Sequence, residues 1–338
     1  MTTEPAGRPA PFPRPVIIDT DGGVDDAAAL WWAVGDPGLD VLAVTVVWGN
    51  VGVDVARTSV ARVLAAAGRP DIPIALGAAG PVGTAPALRP ATFIHGDDGL
   101  GNTTAGLPEP PATVVDEPAP DLLRRLCHQR PGEVSVVTIG PLSNLGLVLA
   151  GDPAFPAAVR ELVVMGGSAR AGGNALPGAE ANIAHDPQAA AAVAAAPWTT
   201  PPLLVGLDVT REATLTEAHF GLLAEHRNAA ASFLDAPLRF YRTFGAALTA
   251  PNCPCHDLVA LMAVADPGLI IDAPELPMAV DAAGGPAWGA TVVDFRAPAF
   301  ARLRGAEQDR MPGFGRWRIA LAADVARFRA QAAALFGG

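Results

Sequence analysis

Residues 15–34 read P-V-I-I-D-T-D-G-G-V-D-D-A-A-A-L-W-W-A-V, and this stretch decides how the rest of the chain is taken. Positions 15–19 are apolar and β-branched, the composition of a buried strand. Gly22-Gly23 suits a tight turn. Positions 24–34 then open with Asp25 and Asp26, acids favoured in a helix's first turn, and continue as an apolar helix. The same alternation recurs along the chain. Residues 41–47, 72–76, 134–139, 162–165 and 203–209 read as strands; 53–67, 121–129, 143–150 and 187–196 read as helices. Helices dominate 216–264, late strands fall at 291–295 and 317–322, and a last helix covers 323–335. Continuous apolar strands between helices predict an α/β fold: a mainly parallel, Rossmann-like sheet flanked by helices, with extra C-terminal helices. Ligands of such sheets bind outside the carboxyl ends of the strands. Asp19-Thr20-Asp21, Gly49-Asn50 and Gly140-Pro141-Leu142-Ser143-Asn144 all fall at such ends, and His95-Gly96-Asp97-Asp98 lies in a long Gly/Pro/Thr-rich stretch, 77–120.

Composition narrows the function classes. The chain has 338 residues, 50 % of them hydrophobic, which is ample for one large core, and 17 % charged, which argues against disorder. A formal net charge of −11 argues against a polyanion partner, since nucleic-acid binders normally show a basic face. All 23 basic residues are arginine. Three cysteines cannot build a disulfide framework. Mean hydropathy is +0.30, yet no apolar run reaches the roughly 18 residues of a membrane span. The proline-rich start lacks the apolar core of a signal peptide. The expectation is a cytoplasmic chain with no membrane partner, built as a tail over 1–14 and a single domain over 15–338.

Asp19, Asp21, Asp25 and Asp26 lie within eight residues. Crowded carboxylates raise one another's pKa and stay ionised together only beside a positive charge. No basic residue is near in sequence, so a divalent cation is expected, and oxygen-only ligands mean a hard ion, calcium or magnesium. The D-x-D-G at a strand end also resembles the haloacid dehalogenase-type phosphatases, with Asp19 as nucleophile and Asp21 as acid/base. Those enzymes use a lysine, which this chain lacks. C-x-C-H at 253–256 is not a structural zinc spacing.

A longer set of motifs resembles the inosine–uridine-preferring nucleoside hydrolases. I-I-D-T-D-G-G-V-D-D-A-A-A-L (17–30) is similar to their opening D-x-D-P-G-x-D-D; V-V-W-G-N (46–50), H-G-D-D-G-L-G (95–101), I-G-P-L-S-N (139–144), M-G-G (165–167), G-N-A-L-P-G-A-E-A-N (173–182), D-P (186–187), G-L-D-V-T (206–210) and H-D (256–257) follow in order. The resemblance implies a calcium-dependent enzyme that splits a ribonucleoside into ribose and base, working as a homodimer or homotetramer. It places the ion on Asp21, Asp26, Asp257 and the backbone carbonyl of Ile139. It puts Asp25 and Asn50 on ribose hydroxyls, Met165, Asn174, Glu180 and Asn182 around the ribose and its 5′ end, and His95 and His256 toward the base. Asp21 would take the proton of the attacking water, and His256, titrating near pH ~6.5, would protonate the leaving base. A catalytically silent nucleoside-binding protein is the non-enzyme alternative; the intact acid set argues against it. Gly22 stands where proline is usual, Ala181 where a large aromatic is common, and Arg211 where histidine is common. Trp48 and Trp288 are open to either base stacking or core packing, and Asp208 reads as a brace.

Overall fold

The computed structural model describes residues 13–83, 88–249, 252–296 and 313–337. The tail expected at 1–14 lies mostly outside these, but Arg14 already belongs to the fold: it opens the first strand and its N–H donates to Gly38 O at 2.8 Å.

The chain alternates β1 (Arg14–Thr20), α1 (Val24–Gly35), β2 (Leu39–Val46), α2 (Val53–Ala66) and β3 (Pro73–Leu76). The described part of the stretch read as a long connection carries a helical turn, α3 (Thr92–His95), and a short strand, β4 (Thr113–Val115). Then come α4 (Ala119–Gln129), β5 (Ser135–Thr138), α5 (Ser143–Gly151), α6 (Phe155–Ala158), β6 (Glu161–Met165), α7 (Ala181–His185), α8 (Pro187–Ala195) and β7 (Leu203–Val205). The remainder holds α9 (Leu207–Thr210), β8 (Thr214–Leu215), α10 (Glu217–Ala224), α11 (Ala229–Thr249), β9 (Cys253–Pro254), α12 (His256–Ala265), β10 (Ile270–Asp272), β11 (Glu275–Val280), β12 (Thr291–Val293), β13 (Gly315–Ile319), β14 (Ala322–Ala323) and α13 (Val325–Gly337).

Among the described residues ten strands form one sheet in the order β12-β11-β13-β7-β6-β5-β1-β2-β3-β4. From β13 to β4 neighbours run parallel; β11 joins β13 and β12 antiparallel at one edge. Side chains alternate across a strand, so β1 feeds both faces. Val16 and Ile18 join the core under α1, α2, α11 and α12, whereas Ile17 joins the core under α4, α5 and α8. Alanines 27–29 of α1 are fully buried, and their small side chains let the helix sit close to α12.

The strand order reverses at β1: β2 to β4 lie on one side of it and β5 to β7 on the other. That is the switch point at which a doubly wound sheet opens a crevice. The expected strand at 203–209 ends at Val205 instead. Gly206 packs against Gly167, where an added Cβ would stand 2.8 Å from its carbonyl oxygen, and Leu207 N–H donates to that same oxygen at 2.9 Å. The chain therefore leaves the sheet and turns into α9.

Candidate active site

The acid cluster forms at the carboxyl end of β1. The α1 helix starts without a side-chain cap from Gly23. Asp26 reaches back instead, and its Oδ2 accepts Gly23 N–H at 2.8 Å while the Thr20 hydroxyl donates to Oδ1. Asp21 is gripped by Asn50, whose N–H donates to Oδ2 at 2.7 Å and whose Nδ2 donates to Oδ1 at 3.0 Å. Gly49 makes this approach possible, since a Cβ there would fall 2.1 Å from Asp21 Oδ2. Asp257 enters from the first turn of α12, and the preceding backbone N–H, that of His256, donates to Asp25.

Carboxylate oxygens of Asp25, Asp26 and Asp257 lie within 4.8 Å of one another, and all three residues are buried. Asp21, placed with the ligands by the resemblance, stands beside this trio and interacts with Asp26 and Asp25. Burial is the main cause that lifts all four carboxyls, followed by mutual repulsion for Asp21, Asp25 and Asp257. Asp25 is raised to about 7. Among the described residues the only base within ion-pair reach of these four is His95, 3.9 Å from Asp25 Oδ1. Burial pushes His95 down to about 3, so it is neutral and offsets nothing. Four crowded, buried oxygen donors with no paired cation fit a hard metal ion in both charge and donor type. No cysteine or histidine belongs to the trio.

The other expected residues gather unevenly. Asn182 Nδ2 donates to Ile139 O at 3.1 Å and to Met165 O at 3.2 Å, joining the ends of β5 and β6. Glu180 is buried and caps α7; its carboxylate accepts the N–H groups of Gly167, Asn182 and Ile183. Asn174 is exposed, and its Oδ1 accepts Ala181 N–H at 2.9 Å. His95 accepts Val24 N–H through Nδ1 at 3.1 Å, so its neutral ring carries the proton on Nε2. His256 Nδ1 pairs with the Thr210 hydroxyl at 2.8 Å. The expectation that His256 titrates near its ordinary value is corrected: burial, then the Arg211 charge, push it down to about 4.

Sequence reading missed Tyr241, the one tyrosine of the chain. It descends from α11, its ring centroid 5.3 Å from that of His95 and its hydroxyl donating to Asp25 Oδ2 at 3.4 Å. No motif surrounds it, and only its being unique in the composition marked it. Trp48 is buried rather than free for stacking: its Nε1 donates to Ser143 Oγ at 3.1 Å and its ring meets His185 edge-on. Asp208 is a brace, as expected, accepting the N–H groups of Ala169, Arg170 and Ala171.

Asp19 decides the phosphatase alternative. It is wholly buried below the cluster, its Oδ1 taken by the Thr45 hydroxyl at 2.5 Å and Asn144 Nδ2 at 2.7 Å. Asp19 is thus engaged as a brace between β1, β2 and α5, and the chain has no lysine to hold a phosphoryl group.

A doubly wound α/β sheet with buried carboxylates gathered at its switch point places the chain among the open-sheet α/β proteins whose ligand site lies at the carboxyl ends of the strands. Residues 16–330 match the sequence model of the inosine-uridine preferring nucleoside hydrolases, and the chain belongs to that family. It is 38 % identical over 234 residues to a probable uridine nucleosidase 2 of Oryza sativa subsp. japonica, covering 69 % of this chain and 68 % of that one. It is 36 % identical over 280 residues to a non-specific ribonucleoside hydrolase of Escherichia coli, covering 83 % and 88 %. A solved plant nucleoside hydrolase superposes with a TM-score of 0.86 at 31 % identity, covering 96 % of this chain and 99 % of that chain. The chain is accordingly a hydrolase of the N-glycosidic bond of ribonucleosides.

Proposed function

We propose that the chain splits ribonucleosides, uridine among them, with calcium as its resident cation. The buried trio of Asp25, Asp26 and Asp257 carries this reading, because it offers only oxygens and concentrates negative charge. Calcium accepts six to eight oxygens at flexible geometry, which suits a site that must also take two ribose hydroxyls. Asp21, Asp26, Asp257 and the carbonyl of Ile139 would hold it. When bound, it supplies charge that orients the 2′- and 3′-hydroxyls and lowers the pKa of a nearby water.

The side chains do the rest. Asp21, oriented by Asn50, accepts the proton of the attacking water. Asp25 and Asn50 hold the ribose hydroxyls. Met165 and Asn182 line the sugar, and Asn174 and Glu180 bound its 5′ end. Breaking the bond builds positive charge on the ribose, as in other glycoside cleavage, and a carboxylate-rich site stabilises that charge. His95 and His256 face the base as neutral imidazoles. Assembly as a homodimer or homotetramer rests on resemblance; the cytoplasmic setting and the single catalytic domain over 15–338, which Arg14 joins, rest on the sequence reading.

Ribose release from uridine, inosine, cytidine and adenosine tests the reading. Activity with calcium, loss on chelation and recovery on calcium but not zinc are expected. No ribose from any substrate in excess calcium would overturn it.

A further inference from the structure

One turn of helix, α9, holds an unusual number of lines. Its Asp208 carboxylate accepts N–H groups from Ala169 and Arg170 at 2.7 Å and from Ala171 at 3.1 Å. Arg211, just past the turn, works the opposite edge of the same loop, donating through Nη1 to Ala171 O at 2.6 Å and through Nη2 to Gly173 O at 2.8 Å. The loop 169–173 is thus pinned by an acid along its N–H edge and a guanidinium along its C=O edge. Between them Thr210 holds His256.

Beyond Gly173 the chain closes on itself. The N–H groups of Asn174, Ala175 and Leu176 all point at Ala179 O, each at 3.2 Å. This closed loop carries Asn174, and Arg211 fixes it where it leaves the body of the protein. Two donors in a rigid fork set both position and orientation, which a single point charge cannot.

We infer that Arg211 is a positioning residue for the ribose 5′ end: it acts through Gly173 to hold Asn174 against the 5′-hydroxyl of the bound nucleoside. The inference rests on the ribose-end reading above. Arg211 touches no reacting atom. Without it the Gly173 carbonyl loses its anchor, Asn174 keeps only its own ties to Ala179 O and Ala181 N–H, and its contact with the 5′-hydroxyl loosens while the acid cluster, on other elements, stays in place.

The test compares uridine with 5′-deoxyuridine in wild type, Arg211→Ala and Arg211→Lys, with melting temperatures alongside. Wild type should prefer uridine. Arg211→Ala should lower kcat/KM for uridine by on the order of 10- to 100-fold, the scale of a small misplacement far from the chemistry, chiefly through KM. It should lower kcat/KM for 5′-deoxyuridine far less, so the preference collapses. Arg211→Lys, able to restore one of the two bonds, should fall between, and it carries the test alone if the alanine variant does not fold. An unchanged preference for uridine in the variants, whatever their overall activity, would overturn the role of Arg211. Equal turnover of both substrates by wild type would instead overturn the ribose-end reading, and the inference with it.

Discussion

Asn50 meets Asp21 with two donors, its N–H 2.7 Å from Oδ2 and its Nδ2 3.0 Å from Oδ1. The pair aims one carboxylate with both oxygens already hydrogen-bonded, so Asp21 is held in a single orientation beside Asp26. An amide in its place would set an NH2 against one of these donors and could not take a proton. Asp21→Asn should therefore lower kcat by about 10²- to 10⁴-fold, the usual worth of a general base. Saturating calcium during the ribose-release assay removes weakened ion binding from the comparison. Near-native turnover would assign the base elsewhere.

The acid cluster makes stability depend on pH and calcium together. Burial raises Asp21, Asp25, Asp26 and Asp257 above their ordinary value, Asp25 to about 7. A group raised on folding contributes stability below its unfolded pKa and loses it as pH rises through the folded one. For Asp25 the calcium-free chain should thus lose this contribution between about pH 4 and 7. Calcium binds the ionised form, so its stabilisation grows as those protons leave. The rise in melting temperature on adding calcium should be small at pH 5 and large at pH 8. An increment that shrinks with rising pH would contradict the site.

Gly22 adopts φ +72°, and a Cβ there would lie 2.6 Å from Ala56 Cα. The resembling motif has proline at this position, yet proline is locked near φ −65° and would also remove the N–H that Gly22 donates to Thr20 Oγ1 at 3.2 Å. Gly22→Ala should cost about 1–2 kcal/mol for the left-handed backbone alone, with the Ala56 contact in addition. Gly22→Pro should cost more. Calorimetry of both variants checks the order; a proline variant as stable as wild type would mean that the turn re-forms.

The parallel half of the fold is legible because its strands are continuous apolar runs and its site motifs are local. D-T-D-G-G-V-D-D carries its own turn and helix start, so Asp21, Asp25 and Asp26 announce themselves. What escapes the sequence depends on contacts between distant segments. Tyr241 reaches Asp25 across 216 positions. The strand expected through 209 stops at Val205 because Gly206 meets Gly167, 39 positions earlier in the chain. The antiparallel strand β11, second from the sheet's edge, holds Pro277 and is partly exposed, so neither apolar continuity nor clean alternation marks it. The depressed pKa of His256 comes from burial and a neighbouring guanidinium, and neither is written in the H-D motif.

That depressed value reshapes what His256 can do. At about 4, its imidazolium makes up only about one part in a thousand at pH 7. A cation bound beside Asp257 would push it lower still by repulsion. The Thr210 hydroxyl holds Nδ1, which leaves Nε2 as the end that can face the base, and a neutral imidazole positions a base far better than it protonates one. An imidazolium acid would give wild type a limb in kcat/KM for uridine that rises toward low pH and vanishes in His256→Ala. A positioning imidazole gives no such limb. Both enzymes should then follow parallel profiles across about pH 5.5–8, shaped by the shared carboxylates, with the variant lower throughout. Repeating the profiles with 4-nitrophenyl riboside, whose leaving group needs no proton, supplies the reference. A low-pH limb specific to wild type and uridine would restore His256 as the acid that the H-D motif first suggested.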